Sequence, residues 1–342
     1  METVCINGSF GEGGGQVLRT SLTLTALTGK HLRIDNIRAN RPNPGLARQH
    51  LTCVSAACTI CNARCTGAEL RSTTLDFAPG TVQSGQYHFD IGSAGSASLV
   101  IQTILPVLFT ADALSTVTVT GGTHNPLAPP FDFLKMSFLP ALANADFSAD
   151  CKLLKHGFFP AGGGKIAFEI QSWQPHPNRI IDLCQPSVSP KIYAVVYTAK
   201  LPARVIQRQR KLLLESGLPL AGFEHIEVAD SNGPGNCVVF RLVAGGRTTV
   251  FTAFGMKGKP SEQVVNEVVT ETRNFLASGA GIDHFLADQL LIYMAMRKTG
   301  RLTTNEPSSH LTTNIEVIKK FLPVDFTITG QGTAYEICCR AL

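Results

Sequence analysis

Three times this chain sets a glycine-rich turn between a β-rich run and an apolar stretch. Gly8-Ser9-Phe10-Gly11-Glu12-Gly13-Gly14-Gly15-Gln16-Val17-Leu18 is the fullest case, and Gly157-Phe158-Phe159-Pro160-Ala161-Gly162-Gly163-Gly164-Lys165-Ile166 is close to it. Gly92-Ser93-Ala94-Gly95-Ser96 ahead of a helical run from Leu99 to Phe109 is the third, and strand Val117–Thr120 meets another turn at Gly121-Gly122-Thr123. One such unit cannot bury its own apolar face, so repeated α+β units are expected to stack around a common core. The 342 residues suffice for one large domain or two.

The grammar lapses between about Leu183 and Gly279. There the pattern predicts a strand over 192–199, a helix over 203–216, strands near 224–229, 237–243 and 247–254, and a helix over 261–277. Pro186, Pro190 and Gly279-Ala280-Gly281 bracket this stretch. The reading is α+β: a large discontinuous domain of three repeated units, residues 1–183 plus 280–342, with a smaller α/β domain, 184–279, inserted in it. After the hinge, Ile282, Phe285, Leu286, Gln289, Leu290 and Tyr293 share one helix face, which puts Gln289 inward beside Asp288. A buried amide needs partners, so it satisfies backbone or reads a ligand.

Hydrophobic residues at 44% and charged ones at 16% describe an ordinary globular chain, and a net charge of +5 permits an anionic partner without demanding one. Met1-Glu2-Thr3-Val4-Cys5-Ile6 runs straight into a predicted strand, with no secretory signal. No run reaches the roughly 18–20 apolar residues of a membrane span. A cytoplasmic protein without a membrane partner is expected. Its ten cysteines should then be reduced thiols. Cys53, Cys58, Cys61 and Cys65 are spaced along one helix face, which fits small apolar core better than zinc, whose ligands usually pair on knuckles.

Candidate chemistry gathers at both ends of the chain. Gly11 to Gly15 can bring backbone amides against a phosphate. Glu12 would repel that anion unless a divalent ion joined carboxylate to phosphate; otherwise the segment is a tight turn with an exposed acid. Near the other end, Thr313 and Glu316 have capping-box spacing, so a helix should begin near Thr313, with His310 in a loop just ahead. A helix N-terminus attracts anions and favours an uncharged, nucleophilic imidazole. Most loop histidines are not catalytic, and eight others are present.

Gly162-Gly163-Gly164-Lys165 lacks the Ser or Thr of a P-loop, and no Lys-x-Asp-Gly motif occurs, so nucleotide chemistry would need another nucleophile, for which His310 is the candidate. Arg38, Arg41, Arg48, Gln49 and His50 lie in and after a loop shaped by Arg41-Pro42-Asn43-Pro44; they suit phosphate, or form a solvated face. Arg204, Arg208 and Lys211 read as a solvated face. Thr123 to Phe133 is a rigid Pro-rich turn leading into a helix.

Taken in order, these blocks resemble the RNA 3′-terminal phosphate cyclases from about Ile6 to Leu322. The match is carried by Gly11 through Arg19, Ile37-Arg38-Ala39 through Leu51, Gly92 through Ser96, Gly121 through Pro130, His156 through Gly164, Gly233-Pro234-Gly235-Asn236, Leu286-Ala287-Asp288-Gln289 and His310-Leu311-Thr312-Thr313-Asn314. The resemblance implies a three-step reaction with ATP as co-substrate and Mg²⁺ or Mn²⁺. The histidine takes AMP, the AMP passes to an RNA 3′-phosphate, and the neighbouring 2′-hydroxyl closes a 2′,3′-cyclic phosphate.

By resemblance, His310 is the nucleophile and Glu12 a metal ligand. Gln102 and Phe285-Leu286-Ala287-Asp288-Gln289 line the ATP site, and Pro130 and Phe285 sandwich adenine with Phe133 nearby. Relatives often carry tyrosine where this chain has Phe285, which keeps stacking and loses a hydroxyl. Arg19, Arg38, Arg41, Arg48, Gln49 and His50 are candidates for the RNA phosphate and the triphosphate. The main alternative is a non-catalytic cyclase-like ribosome-assembly factor, but such relatives lack the histidine and degrade the glycine-rich turn. An enolpyruvyl transferase would also repeat α+β units, without labelling by ATP. Activity on DNA ends and a homodimer are left open.

Overall fold

In β1 (Thr3–Asn7) only Val4 and Ile6 are buried, the period of two expected of a strand with one face on a core. The computed structural model describes residues 2–186 and 188–342. Helix α1 (Gly15–Thr28), β2 (His31–Asp35), α2 (Arg48–Ile60), β3 (Arg64–Thr66) and β4 (Leu75–Ala78) complete a first sheet of order β1-β2-β4-β3. Next come β5 (Gln86–Asp90), α3 (Ala97–Phe109) and β6 (Ser115–Gly121). A continuous helical stretch follows, made of α4 (Phe131–Phe133), a π-helical turn (Leu134–Phe138) and α5 (Leu139–Ala143). With β7 (Ala149–Lys155) and β8 (Gly164–Ile170) they give a second sheet, β5-β6-β8-β7.

After β9 (Asp182–Leu183) the chain leaves to build a different sheet. Its elements are β10 (Lys191–Ala199), α6 (Ala203–Leu214), β11 (Leu220–Glu227), β12 (Gly235–Ala244), β13 (Arg247–Phe254) and α7 (Ser261–Ser278), with strand order β11-β10-β12-β13. It then returns through α8 (His284–Arg297), β14 (Thr299–Thr304), α9 (Ser309–Phe321), β15 (Val324–Gln331) and β16 (Ala334–Ala341), so β9 pairs with β14 in a fourth sheet, β9-β14-β16-β15. In the first, second and fourth sheets the first two strands run parallel and the remaining pairs antiparallel. The α+β class expected from sequence is borne out.

Two apolar cores result. The larger runs through helices α1, α2, α3, α8 and α9, with Leu22, Val54, Ile104, Leu291 and Ile318 fully buried. The smaller lies between α6, α7 and their sheet, where Val196, Val238, Phe240, Val268 and Phe275 meet. A buried polar knot ties α4 to that sheet. Asp132 accepts from the Tyr197 hydroxyl at 3.0 Å and from Arg241 Nη2 at 2.8 Å, and its other oxygen lies 3.2 Å from His124 Nε2. Burial alone would raise the Asp132 carboxyl; His124 and Arg241 outweigh it and hold the group near 2.

Three local expectations are corrected. Helix α9 starts at Ser309, four residues early, because the Ser308 hydroxyl already accepts the Leu311 N–H at 3.2 Å; Thr313 Oγ1 instead receives the Glu12 N–H at 3.2 Å. His310 therefore lies in the first turn, not in a preceding loop. Helix α8 is capped by Asp283, leaving Ile282 to bridge Thr304; Asp288 turns inward, Gln289 is half-buried and Phe285 is 49% exposed. The cysteine stripe breaks where Asn62 turns left-handed at φ 46°, so Cys65 falls in β3. Cys53 and Cys61 are fully buried, and no cluster of metal-ligating side chains occurs among the described residues.

Candidate active site

The helix starts of α1, α2 and α9 meet. Glycines make this approach feasible. A Cβ on Gly15 would stand 2.2 Å from His50 Nε2, and one on Gly11, at φ +60°, 2.2 Å from Thr313 Oγ1. Gly14, the N-cap of α1, supplies no side-chain cap, so the first-turn amides face the site with their positive dipole end. His310 on α9 and His50 on α2 stand in the first turns of the two neighbouring helices.

His310 is held from behind. Its Nδ1 is 2.7 Å from Gln16 Oε1, while Gln16 Nε2 donates to both oxygens of Asp288 at 2.7 and 2.8 Å. An ionised Asp288 only accepts, so the Gln16 carbonyl must face the histidine, and Nδ1 must carry the proton. A neutral His310 then has its lone pair on Nε2. Asn314, one turn along α9, donates to Asp288 at 3.1 Å and accepts from Thr20 at 2.8 Å, and Gln289 Nε2 donates to Asp288 at 3.1 Å. Burial raises the Asp288 carboxyl pKa, opposed by Gln16, His310, Asn314 and Arg19.

Glu12 stands in front. Its carboxylate is 6% exposed; Oε2 accepts from Arg41 Nη2 at 2.5 Å, while Oε1, 3.8 Å from His310 Nδ1, has no hydrogen-bond partner among the described residues. A buried carboxylate oxygen without a donor is costly, and its chemistry would suit a divalent cation. His50 accepts the Ala47 N–H at Nδ1 (3.3 Å). Burial, aided by Arg19 and Arg38, holds its pKa down near 3, so it is neutral and offers Nε2–H. Burial lowers the Arg19 pKa as well, although guanidinium stays charged near neutral pH.

The candidates divide into groups. Arg19, Gln102, Asp288 and Gln289, with Gln16, Asn314 and Tyr293, line a polar cavity of about 40 Å³, room for a few waters and far too small for a nucleotide. Both amide atoms of Gln102 and the Tyr293 hydroxyl are buried there without partners among the described residues. Pro130, Phe133, Phe285, Leu286 and Ala287 do not line it. Pro130 caps α4, Phe133 stacks on Phe138 at 6.2 Å, Leu286 and Ala287 are core, and the exposed Phe285 leans on His284 at 3.9 Å.

Among the phosphate candidates, Arg41 joins Glu12 and Arg38 donates to the Gly45 carbonyl at 2.7 Å. Gln49 Oε1 is taken by the Ser96 N–H at 2.6 Å, and Arg48 lies exposed beside Gly92. Sequence reasoning gave no role to Gln16, Thr20 or Asn314, and gave Thr313 only a helix cap. Gln16, Thr20 and Thr23 did leave a signal, a polar line at helical spacing, and all three are buried.

Comparison with known proteins shows the family. A family model described as RNA 3′-terminal phosphate cyclase matches residues 10–328. Proteins named RNA 3′-terminal phosphate cyclase from Ralstonia nicotianae and Ectopseudomonas mendocina are 44% and 42% identical, over 96% and 93% of this chain and 94% and 92% of their own. One of the same name from Salmonella enteritidis is 42% identical over 97% of each chain. With Gly11–Gly15, the later glycine-rich turns through Gly164 and the His310 segment inside the matched span, the chain belongs to the RNA 3′-terminal phosphate cyclase family, and is an enzyme of that family.

Proposed function

We propose that this enzyme converts an RNA 3′-terminal phosphate into a 2′,3′-cyclic phosphodiester at the expense of ATP, with His310 carrying AMP. The observation that carries the reading is the Gln16 clamp: a histidine whose Nδ1 is committed to an amide carbonyl at 2.7 Å presents Nε2 as a nucleophile. Nε2 attacks the α-phosphorus of ATP; a P–N bond forms, the bond to the bridging oxygen breaks, and pyrophosphate leaves. An oxygen of the RNA 3′-phosphate then takes the adenylyl group, breaking the P–N bond and restoring neutral His310. Finally the vicinal 2′-hydroxyl, already near attack distance, loses its proton and displaces AMP from the 3′-phosphorus.

The residues around His310 suit these charges. Glu12 would hold Mg²⁺ or Mn²⁺ through Oε1, and such an ion neutralises charge on phosphate oxygens. Arg19, Arg38 and Arg41 suit the triphosphate and the RNA phosphate, with neutral His50 donating from Nε2. In this reading Gln102 and Gln289, which line the small cavity behind Asp288, answer to a nucleotide bound outside it. The presence of His310 and of the intact glycine turn disfavours a non-catalytic assembly factor.

The test is incubation with ATP labelled at the α-phosphate. One acid-labile, alkali-stable AMP should appear per chain and be absent from His310→Ala. Labelling that persists in that variant would defeat the assignment. A product from 3′-phosphate RNA that stays sensitive to phosphomonoesterase would defeat the cyclase reading.

A further inference from the structure

The loop that presents Glu12 also turns an aromatic ring to solvent. Phe10 is 47% exposed and sits in a turn closed by the Gly13 N–H on the Phe10 carbonyl at 3.0 Å. A single exposed ring means nothing by itself. Its neighbours give it meaning. The next loop is fastened alongside: Asn40 Nδ2 donates to the Ser9 carbonyl at 3.2 Å, and Arg41 pairs with Glu12 at 2.5 Å. Arg41, Pro42 and Asn43 of that loop are exposed. Phe10 thus belongs to a loop fastened to one that carries Arg41, and its Cα is two residues, at most about 7 Å, from that of Glu12.

Aromatic rings set in cationic surface are how proteins hold single-stranded nucleic acid: cations follow the phosphates, and rings take the bases on their faces. A nucleotide whose 3′-phosphate lies at Glu12 and Arg41 carries its own base one sugar away, within reach of Phe10. We propose that Phe10 is the stacking platform for the base of the RNA 3′-terminal nucleotide. Stacking uses a face that every base has, so the platform positions the end without reading its sequence. The proposal rests on the cyclase reading above, and its test separates the two.

The test pairs wild type, Phe10→Ala and Phe10→Tyr with two 3′-phosphate RNAs, one intact and one lacking only its terminal base, at saturating ATP. Phe10→Ala should raise KM for the intact RNA about tenfold or more, and loss of the base should cost wild type a similar factor. The two changes together should cost little more than either alone, and Phe10→Tyr should restore the intact RNA. A 2-aminopurine at the terminal position should be quenched on binding to wild type and not to Phe10→Ala, which reads stacking without any turnover. Equal losses on both RNAs, or an unchanged KM and quench, would overturn the proposal. Quenching without a cyclic product would uphold the platform and overturn the cyclase reading instead.

Discussion

Replacing Gln16 by Leu removes two things at once: the acceptor that fixes the His310 proton, and the two donors, at 2.7 and 2.8 Å, that satisfy Asp288. A hydrogen bond to a group that becomes charged is worth about 1.5–3 kcal/mol, which predicts adenylylation slowed roughly 10- to 150-fold. Asp288 keeps Asn314 and Gln289, so folding should lose about 1–3 kcal/mol and not collapse. Nitrogen-15 NMR of the imidazole reads the tautomer directly: wild type should show Nδ1–H, and the variant a mixture. Gln16→Glu separates the roles. It keeps an acceptor for Nδ1 but sets two carboxylates side by side, a repulsion of about 4 kcal/mol at 4 Å in a dielectric near 20. That pair retains a proton more readily folded than unfolded. Its stability is therefore present at low pH and lost as pH rises, so this variant should be more stable relative to wild type near pH 5 than near pH 7. Gln16→Leu with an unchanged tautomer and a wild-type rate would refute the clamp.

Glu12→Gln, which removes the charge on the unpartnered Oε1, should raise the Mg²⁺ concentration needed for half-maximal AMP labelling about tenfold or more; an unshifted metal titration would exclude Glu12 as a ligand. Asp132→Ala strips the acceptor from Arg241 and Tyr197 and should cost about 3–5 kcal/mol in urea unfolding; an unchanged midpoint would mean the knot is not a stabilising contact. Burial holds His50 near 3 and His156 near 4, below the ordinary 6.5, so both take up protons more readily when unfolded. Stability should be full above about pH 6.5 and fall as pH drops from there, by up to about 1.4 kcal/mol per unit for a fully buried imidazole. His50→Gln should flatten that slope, and an equal slope in the variant would show that His50 does not contribute.

The sequence was most legible where one element decided its own fate. Strand 192–199 and helices 203–216 and 261–277 fall within a few residues of β10, α6 and α7, because apolar period and bracketing prolines and glycines act locally. It was least legible where a distant residue decides. Gln16 and Asp288 are 272 residues apart, and nothing in either neighbourhood announces their contact. The inward turn of Asp288 is met by Gln16 and Asn314, which lie on two other helices. For α9, the Thr313 and Glu316 spacing pointed to a start that Ser308 pre-empts. The glycine turns were readable as close approaches; what they approach, His50 for Gly15 and Thr313 for Gly11, was not.

The meeting of α1 and α9 has a consequence for synthesis. Glu12 and Thr313, whose contact joins the two helix starts, are separated by 301 positions, and the clamp on His310 runs through Gln16 to Asp288. A chain still being translated has its glycine loop long before it has the histidine that the loop serves. The first sheet and its helices emerge early but cannot bury their apolar face alone, and they keep an open seat for α9. The site therefore closes late: a chain truncated before its last few dozen residues lacks α9 and, with it, His310.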